Sequence, residues 1–121
     1  ISCATMSTEP LVRGNWLKPG QHVDLMGAFK PSMRETDDTA VEVAEVFCDT
    51  FAGALKEGGD LVQPIQSGAL KREAVLADLF DLAQGKHPGR TGSDQITLFK
   101  STGAALEDLA AAILAYERSA D

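Results

Sequence analysis

The sequence contains little of what marks a membrane, secreted or nucleic-acid-binding protein. No apolar run approaches the roughly 20 residues needed to cross a bilayer. Only two cysteines occur, Cys3 and Cys48. That is too few for a disulfide framework and points to a reducing compartment, the cytoplasm. The first residues lack the basic start and apolar stretch of a signal peptide. Basic residues are scarce: Lys plus Arg is 11 against 18 Asp plus Glu, a formal charge of -7. A nucleic-acid binder needs a basic face, so this balance argues against one. What is present is ordinary for a folded soluble domain. Hydrophobic residues are 44% and charged residues 24% of the 121, a balance that excludes wholesale disorder and a collagen-like chain.

The chain opens on Ile1 rather than Met, with Ile1-Ser2-Cys3-Ala4-Thr5-Met6 reading as a buried strand already in progress. This predicts a C-terminal piece of something longer. Gln21 to Gly27 alternates and predicts a second strand. Asp37 or Asp38 is placed to cap a short helix through about Ala44. Val46-Phe47-Cys48 predicts a third strand, and Phe51 to Glu57 a helical turn or two stopped by Gly58-Gly59. Val75, Leu76, Leu79, Phe80 and Leu82 recur at helical spacing and predict a helix ended by Gly85. The glycines and proline between Gln84 and Asp94 predict a loop. Ile96 to Phe99 predicts a fourth strand, and Thr102 to about Ser119 the longest helix. Strands alternating with helices predict an α/β fold with a parallel sheet, thin for a self-sufficient domain.

Motifs for common chemistries are missing. His22 and His87 lie far apart, and neither cysteine has a ligand at zinc-like spacing, so no metal site is expected. There is no Gly-x-Ser-x-Gly elbow. Gly-x-Gly-x-x-Gly and Walker patterns are also absent. Cys3 and Cys48 fall in expected strands, where thiols serve as small core filler. The Asp37-Asp38 pair is explained by helix capping. Gly89-Arg90-Thr91-Gly92 reads as a flexible turn. Ser101-Thr102-Gly103, between a strand and a helix N-terminus, suits either an ordinary cap or a polar ligand.

Five segments, in order, carry a resemblance to a known family. They are Ala4-Thr5-Met6-Ser7-Thr8-Glu9-Pro10; Trp16-Leu17-Lys18-Pro19-Gly20-Gln21-His22-Val23; Met26-Gly27-Ala28 to Pro31 with Arg34-Glu35-Thr36-Asp37-Asp38; Ala54-Leu55-Lys56-Glu57-Gly58-Gly59-Asp60; and Ile96-Thr97-Leu98-Phe99-Lys100-Ser101-Thr102-Gly103 with Leu106-Glu107-Asp108-Leu109-Ala110. Together they resemble the C-terminal part of the ornithine cyclodeaminase/mu-crystallin family. The resemblance implies a two-domain enzyme well over twice this length. Residues 1–100 would be the C-terminal portion of a Rossmann-like domain binding NAD or NADP, with NADPH slightly favoured. Residues 101–121 would return to a substrate and dimerisation domain. The phosphate loop would lie before Ile1.

The same resemblance implies cofactor contacts at Thr5, Met6, Met26, Gly27, Ser101 and Gly103. It implies substrate contacts at Phe29 and Glu57. Read without the resemblance, Met26 is strand core and Glu57 a solvated helix end. Bacterial ornithine cyclodeaminases carry a catalytic Asp at the position held here by Phe29, which cannot move a proton. Imine reduction asks less of the protein, chiefly a placed hydride donor. The implied activity is therefore reduction of a cyclic imino acid, pyrroline-2-carboxylate or piperideine-2-carboxylate, by a cytoplasmic homodimer. Alternatives are ornithine cyclodeaminase and a mu-crystallin-like NADPH-dependent ligand-binding protein, with Ala28-Phe29 lining an apolar pocket.

Overall fold

The computed structural model describes residues 1–119; the last two residues of the expected 101–121 segment lie outside the described part. Five strands form one sheet: β1 (Ser2–Cys3), β2 (His22–Leu25), β3 (Glu45–Cys48), β4 (Val75–Asp78) and β5 (Thr97–Lys100). Their order is β1-β2-β5-β3-β4, and every pairing is parallel. The last strand in sequence is thus inserted at the centre, with Leu98 level with Val23 on one side and Val46 on the other. The helices are α1 (Asp38–Val43), α2 (Phe51–Glu57), α3 (Gly59–Ser67), α4 (Leu79–Ala83) and α5 (Ala105–Ser119). The α/β class and the parallel sheet are as expected.

The period-2 pattern of the central strands explains which way they face. Val23, Leu25, Val46, Cys48 and Leu98 point to one side, where they pack with Ala40 and Val41 of α1, Ala54 and Leu55 of α2, and Leu61 of α3. Phe47 and Phe99 point to the other side. There they line a groove of about 260 Å³ with His22, Thr97, Leu82, Gly89 and Arg90.

Three sequence expectations are corrected. Residues 75–82 are not one helix. Val75 and Ala77 are buried on the sheet while Leu76 is exposed, so this stretch obeys the strand period. Asp78 then accepts the Asp81 N–H and caps α4. Five apolar residues at helical spacing also fit a strand joined to a helix. Gly58-Gly59 does not simply stop α2: Gly59 opens α3, which runs through Pro64. Finally, the Ile1–Met6 strand is paired only over Ser2–Cys3 and lies at the sheet edge, with Ile1 and Met6 exposed.

Local capping follows the sequence closely. Asp37 caps α1 by accepting the Ala40 N–H, and Asp38 pairs with Arg34 at 2.7 Å. That hydrogen bond from Arg34 holds the Asp38 carboxyl below its usual range. Thr50 caps α2 through the Gly53 N–H. In the 84–94 loop, Arg90 donates to the carbonyls of Gly20 and Gln21 and to the Thr97 hydroxyl. Its guanidinium is a structural staple for the start of β2. Helix α5 has no buried residue, and Leu106, Leu109, Ile113, Leu114 and Tyr116 are all exposed.

Candidate functional site

Because all five strands run the same way, their carboxyl ends lie along one edge. In open parallel sheets that edge is where ligands bind. Thr5 and Met6 follow β1, Met26, Gly27 and Phe29 follow β2, and Ser101 and Gly103 follow β5. Helix α2 starts beyond β3 and crosses towards β2. Its last residue is Glu57, and the Gly59 N–H beyond it donates to the Ala28 carbonyl at 3.0 Å. The topology therefore brings all eight expected site residues to one edge.

Three of them present apolar surface. Met6 is 69% exposed, Met26 47% and Phe29 40%. Met26 is thus not strand core. The Lys30 ammonium lies 5.8 Å from the Phe29 ring centroid. Glu57 is exposed. Ala28 corrects the expectation that it would line a pocket, because it is fully buried. It also holds a φ of 48°, a left-handed conformation uncommon outside glycine. Bonds at both of its ends impose that turn: its N–H donates to the Thr5 carbonyl at 3.1 Å, and its carbonyl accepts from Gly59.

Gly27 is required by the protein itself. A Cβ there would fall 2.1 Å from the Thr5 carbonyl oxygen and 2.3 Å from the Glu35 carboxylate. The close approach is to these groups beneath the edge. Ser101 is buried, and its hydroxyl donates to Asp49 at 3.0 Å and accepts from the Gly103 N–H at 3.1 Å. Asp49 Oδ2 also accepts the N–H groups of Thr102 at 2.7 Å and Gly103 at 2.9 Å. Ser101 is therefore neither a cap of α5 nor an exposed hydroxyl. It belongs to a loop fastened by Asp49, with Gly103 exposed at a φ of +84°. Helix α5 is instead served by Glu107, which accepts the Ala104 N–H.

Beneath the edge lies a charged cluster that the sequence reading did not single out. Lys100, Asp60 and Glu35 are all fully buried. Lys100 Nζ donates to the Gly27 carbonyl and sits 3.1 Å from Asp60 Oδ2. Asp60 Oδ1 accepts the backbone N–H groups of Glu35 at 2.7 Å and Thr36 at 2.9 Å, and the Thr36 hydroxyl at 3.1 Å. The Glu35 carboxylate accepts the Thr5 N–H at 2.6 Å on one oxygen and the Gly27 N–H at 3.1 Å on the other. Every polar atom of the cluster is partnered, as burial demands. A signal for it exists in the sequence: Thr97-Leu98-Phe99-Lys100 alternates, and Lys100 shares its face with core Leu98.

The cysteines are inert. Burial, helped by Asp49 and Asp78, pushes the Cys48 thiol up to about 12. Burial, with Glu35 and Asp60 adding to it, also raises Cys3. A thiol is nucleophilic only as the thiolate, so neither suits that role near neutral pH.

The surface suits the flat nicotinamide end of a dinucleotide. Apolar Met6 and Met26 face outwards, while the Thr5 and Gly27 N–H groups are committed inwards and ask nothing of a ligand. The rest of such a cofactor would need residues outside this chain.

Known proteins match this arrangement. A family model described as the ornithine cyclodeaminase/mu-crystallin family matches residues 1–121. The Delta(1)-pyrroline-2-carboxylate reductase of Paracoccus denitrificans is 46% identical over 109 residues, which are 90% of this chain and 34% of that protein. The ketimine reductase mu-crystallin of Mus musculus is 40% identical over 117 residues, 97% of this chain and 34% of that one. The Delta(1)-pyrroline-2-carboxylate reductase of Thermococcus litoralis, solved with NADH and L-proline, superposes with a TM-score of 0.90 at 36% identity. The alignment covers 98% of this chain and 36% of that one. The chain thus spans about a third of the length of the relatives it matches. With the match running from end to end and the parallel sheet superposing, the chain belongs to the ornithine cyclodeaminase/mu-crystallin family.

Proposed function

We propose that this chain is the C-terminal part of an NAD(P)H-dependent reductase of cyclic imino acids, converting pyrroline-2-carboxylate or piperideine-2-carboxylate to proline or pipecolate. The observation that carries the reading is Phe29. At the strand-end position where the resemblance puts a cyclodeaminase's catalytic Asp stands an exposed aromatic ring. It offers an apolar wall and no proton. A bound dinucleotide would supply a hydride to the C=N carbon, with the ring nitrogen taking up a proton from solvent.

The residues of this chain bind and orient. Met6 and Met26 give the nicotinamide ring an apolar bed. Thr5 and Gly27 fix the backbone beneath it, and Ser101 and Gly103 shape the loop that closes beside it. Phe29 and Glu57 face the substrate. Residues 1–100 complete the nucleotide domain. Helix α5, which has no fully buried residue, carries residues 101–121 into the substrate and dimerisation domain of a homodimer. The free thiols of Cys3 and Cys48 fit a cytoplasmic protein.

The test is fluorescence titration of the full-length protein with NADH and NADPH, followed by addition of a cyclic imine. Quenching of the bound nicotinamide, then its consumption, is expected. Quenching without consumption would make the protein a ligand binder instead.

A further inference from the structure

We propose that Glu35 is a positioning residue, and that with Lys100 and Asp60 it sets where the nicotinamide-bearing edge sits. The inference rests on the reductase reading above and adds to it a residue remote from the exposed surface.

The argument starts from the β1–β2 ladder. The two strands pair as far as Cys3 and Leu25, and Met26 still donates to the Cys3 carbonyl. Beyond that, the Thr5 and Gly27 N–H groups both point at Glu35. One carboxylate thus bridges the two strand ends that carry Met6 and Met26, beside the direct bond from the Ala28 N–H to the Thr5 carbonyl. The two N–H groups meet different oxygens of the carboxylate, and an amide in its place turns an NH2 donor towards one of them. The Gly27 peptide is held on its other side too, because Lys100 takes its carbonyl. Asp60 holds Lys100 and, through the Glu35 and Thr36 N–H groups, the segment from which Glu35 projects. The loop is closed: each strand end is pinned to the others through three buried charges.

An apolar core of similar volume is often as stable as a buried ion pair. What hydrophobic packing cannot do is bind two convergent N–H donors. The gain is in geometry, and reacting atoms displaced by about 1 Å can cost on the order of 100-fold in rate. Ala28, held at positive φ just beyond Gly27, has the same meaning: the chain is forced into one path where Phe29 emerges.

The test is Glu35→Gln in the full-length enzyme. The shape is kept, but the new amide NH2 must face the Thr5 or the Gly27 N–H, so one strand end has to move. Four readouts are taken: thermal unfolding, affinity for NADH and NADPH by nicotinamide fluorescence, KM and kcat with pyrroline-2-carboxylate, and the primary deuterium isotope effect with dinucleotide carrying deuterium at the transferred hydrogen. The expected result is a folded variant with weaker dinucleotide binding, a kcat lowered by about 10- to 100-fold, little change in KM for the imine, and a larger isotope effect. A merely structural role lowers the folded fraction and leaves the isotope effect and the affinity of the folded part as they were; that result overturns the proposal.

Should Glu35→Gln fail to fold, Thr36→Val removes only the 3.1 Å bond to Asp60. It is expected to move the same readouts the same way, and unchanged values would overturn the proposal. If the wild-type protein does not reduce the imine, the reductase reading falls separately. Dinucleotide affinity then decides the positioning role: weaker in the variant supports it, unchanged overturns it.

Discussion

Replacing Lys100 with Met tests whether the buried cluster carries stability. Lys100 and Asp60 are both fully buried, 3.1 Å apart. Met matches the Lys stem but deletes the ammonium. Asp60 then keeps three hydrogen bonds on Oδ1 and loses the cation on Oδ2, while the Gly27 carbonyl loses its side-chain donor. Breaking a buried pair from one side costs about 3–5 kcal/mol, because a charge is left uncompensated. For a domain of this order, that lowers the melting temperature by about 6–20 °C. The assay is thermal unfolding of the full-length protein, with Asp60→Asn and the double variant K100M/D60N beside it. The double variant removes both charges, so it should be more stable than the sum of the single losses predicts. A coupling of about 1–3 kcal/mol is expected. A K100M protein within about 1 kcal/mol of wild type, or strictly additive losses, would refute the reasoning.

Gly27→Ala places a Cβ within 2.4 Å of three atoms of Thr5 and Glu35. It should cost about 1–3 kcal/mol by overpacking, read as a lower urea midpoint, and weaken dinucleotide binding in the same protein. Asp49→Asn leaves fewer acceptor sites for the donors of residues 101–103; amide hydrogen exchange at Thr102 and Gly103 should speed up by about 10-fold, the equivalent of one hydrogen bond of about 1.4 kcal/mol. The Cys48 thiol titrates near 12 when folded against 9.0 ordinarily. The unfolded chain therefore loses its proton first, and stability should fall from about pH 9 upwards with a slope of at most about 1.4 kcal/mol per pH unit. Cys48→Ala should remove that slope, and an unchanged alkaline limb in denaturant titrations would contradict the assignment.

The sequence made the layer order legible where local signals and packing agree. Asp37 caps the helix it precedes because a short side-chain acceptor there meets free N–H groups whatever the tertiary context. The eight expected site residues came from the family's motifs, and the parallel sheet sets them along one edge. Val75–Ala83 misled because apolar residues over a strand joined to a helix satisfy both periods. α3 was hidden by Gly58-Gly59, which read as a stop, whereas Gly59 is small because the Met33 and Lys30 carbonyls lie against it. The placing of β5 between β2 and β3 is a long-range choice that no local pattern encodes. The alternation of β5 marks Lys100 as inward-facing, but its partners are far away in sequence: Asp60 meets the Glu35–Thr36 backbone, and the crossing of β5 brings the lysine to them.

The most direct test of the central claim is a pair of rates on the full-length protein. One is oxidation of NADH or NADPH with pyrroline-2-carboxylate and piperideine-2-carboxylate. The other is ammonia release from ornithine with the oxidised dinucleotide present. Phe29 in place of the cyclodeaminase Asp predicts rapid dinucleotide oxidation by a cyclic imine and negligible ammonia. Ammonia release at a comparable or greater rate would contradict it and make the protein a cyclodeaminase.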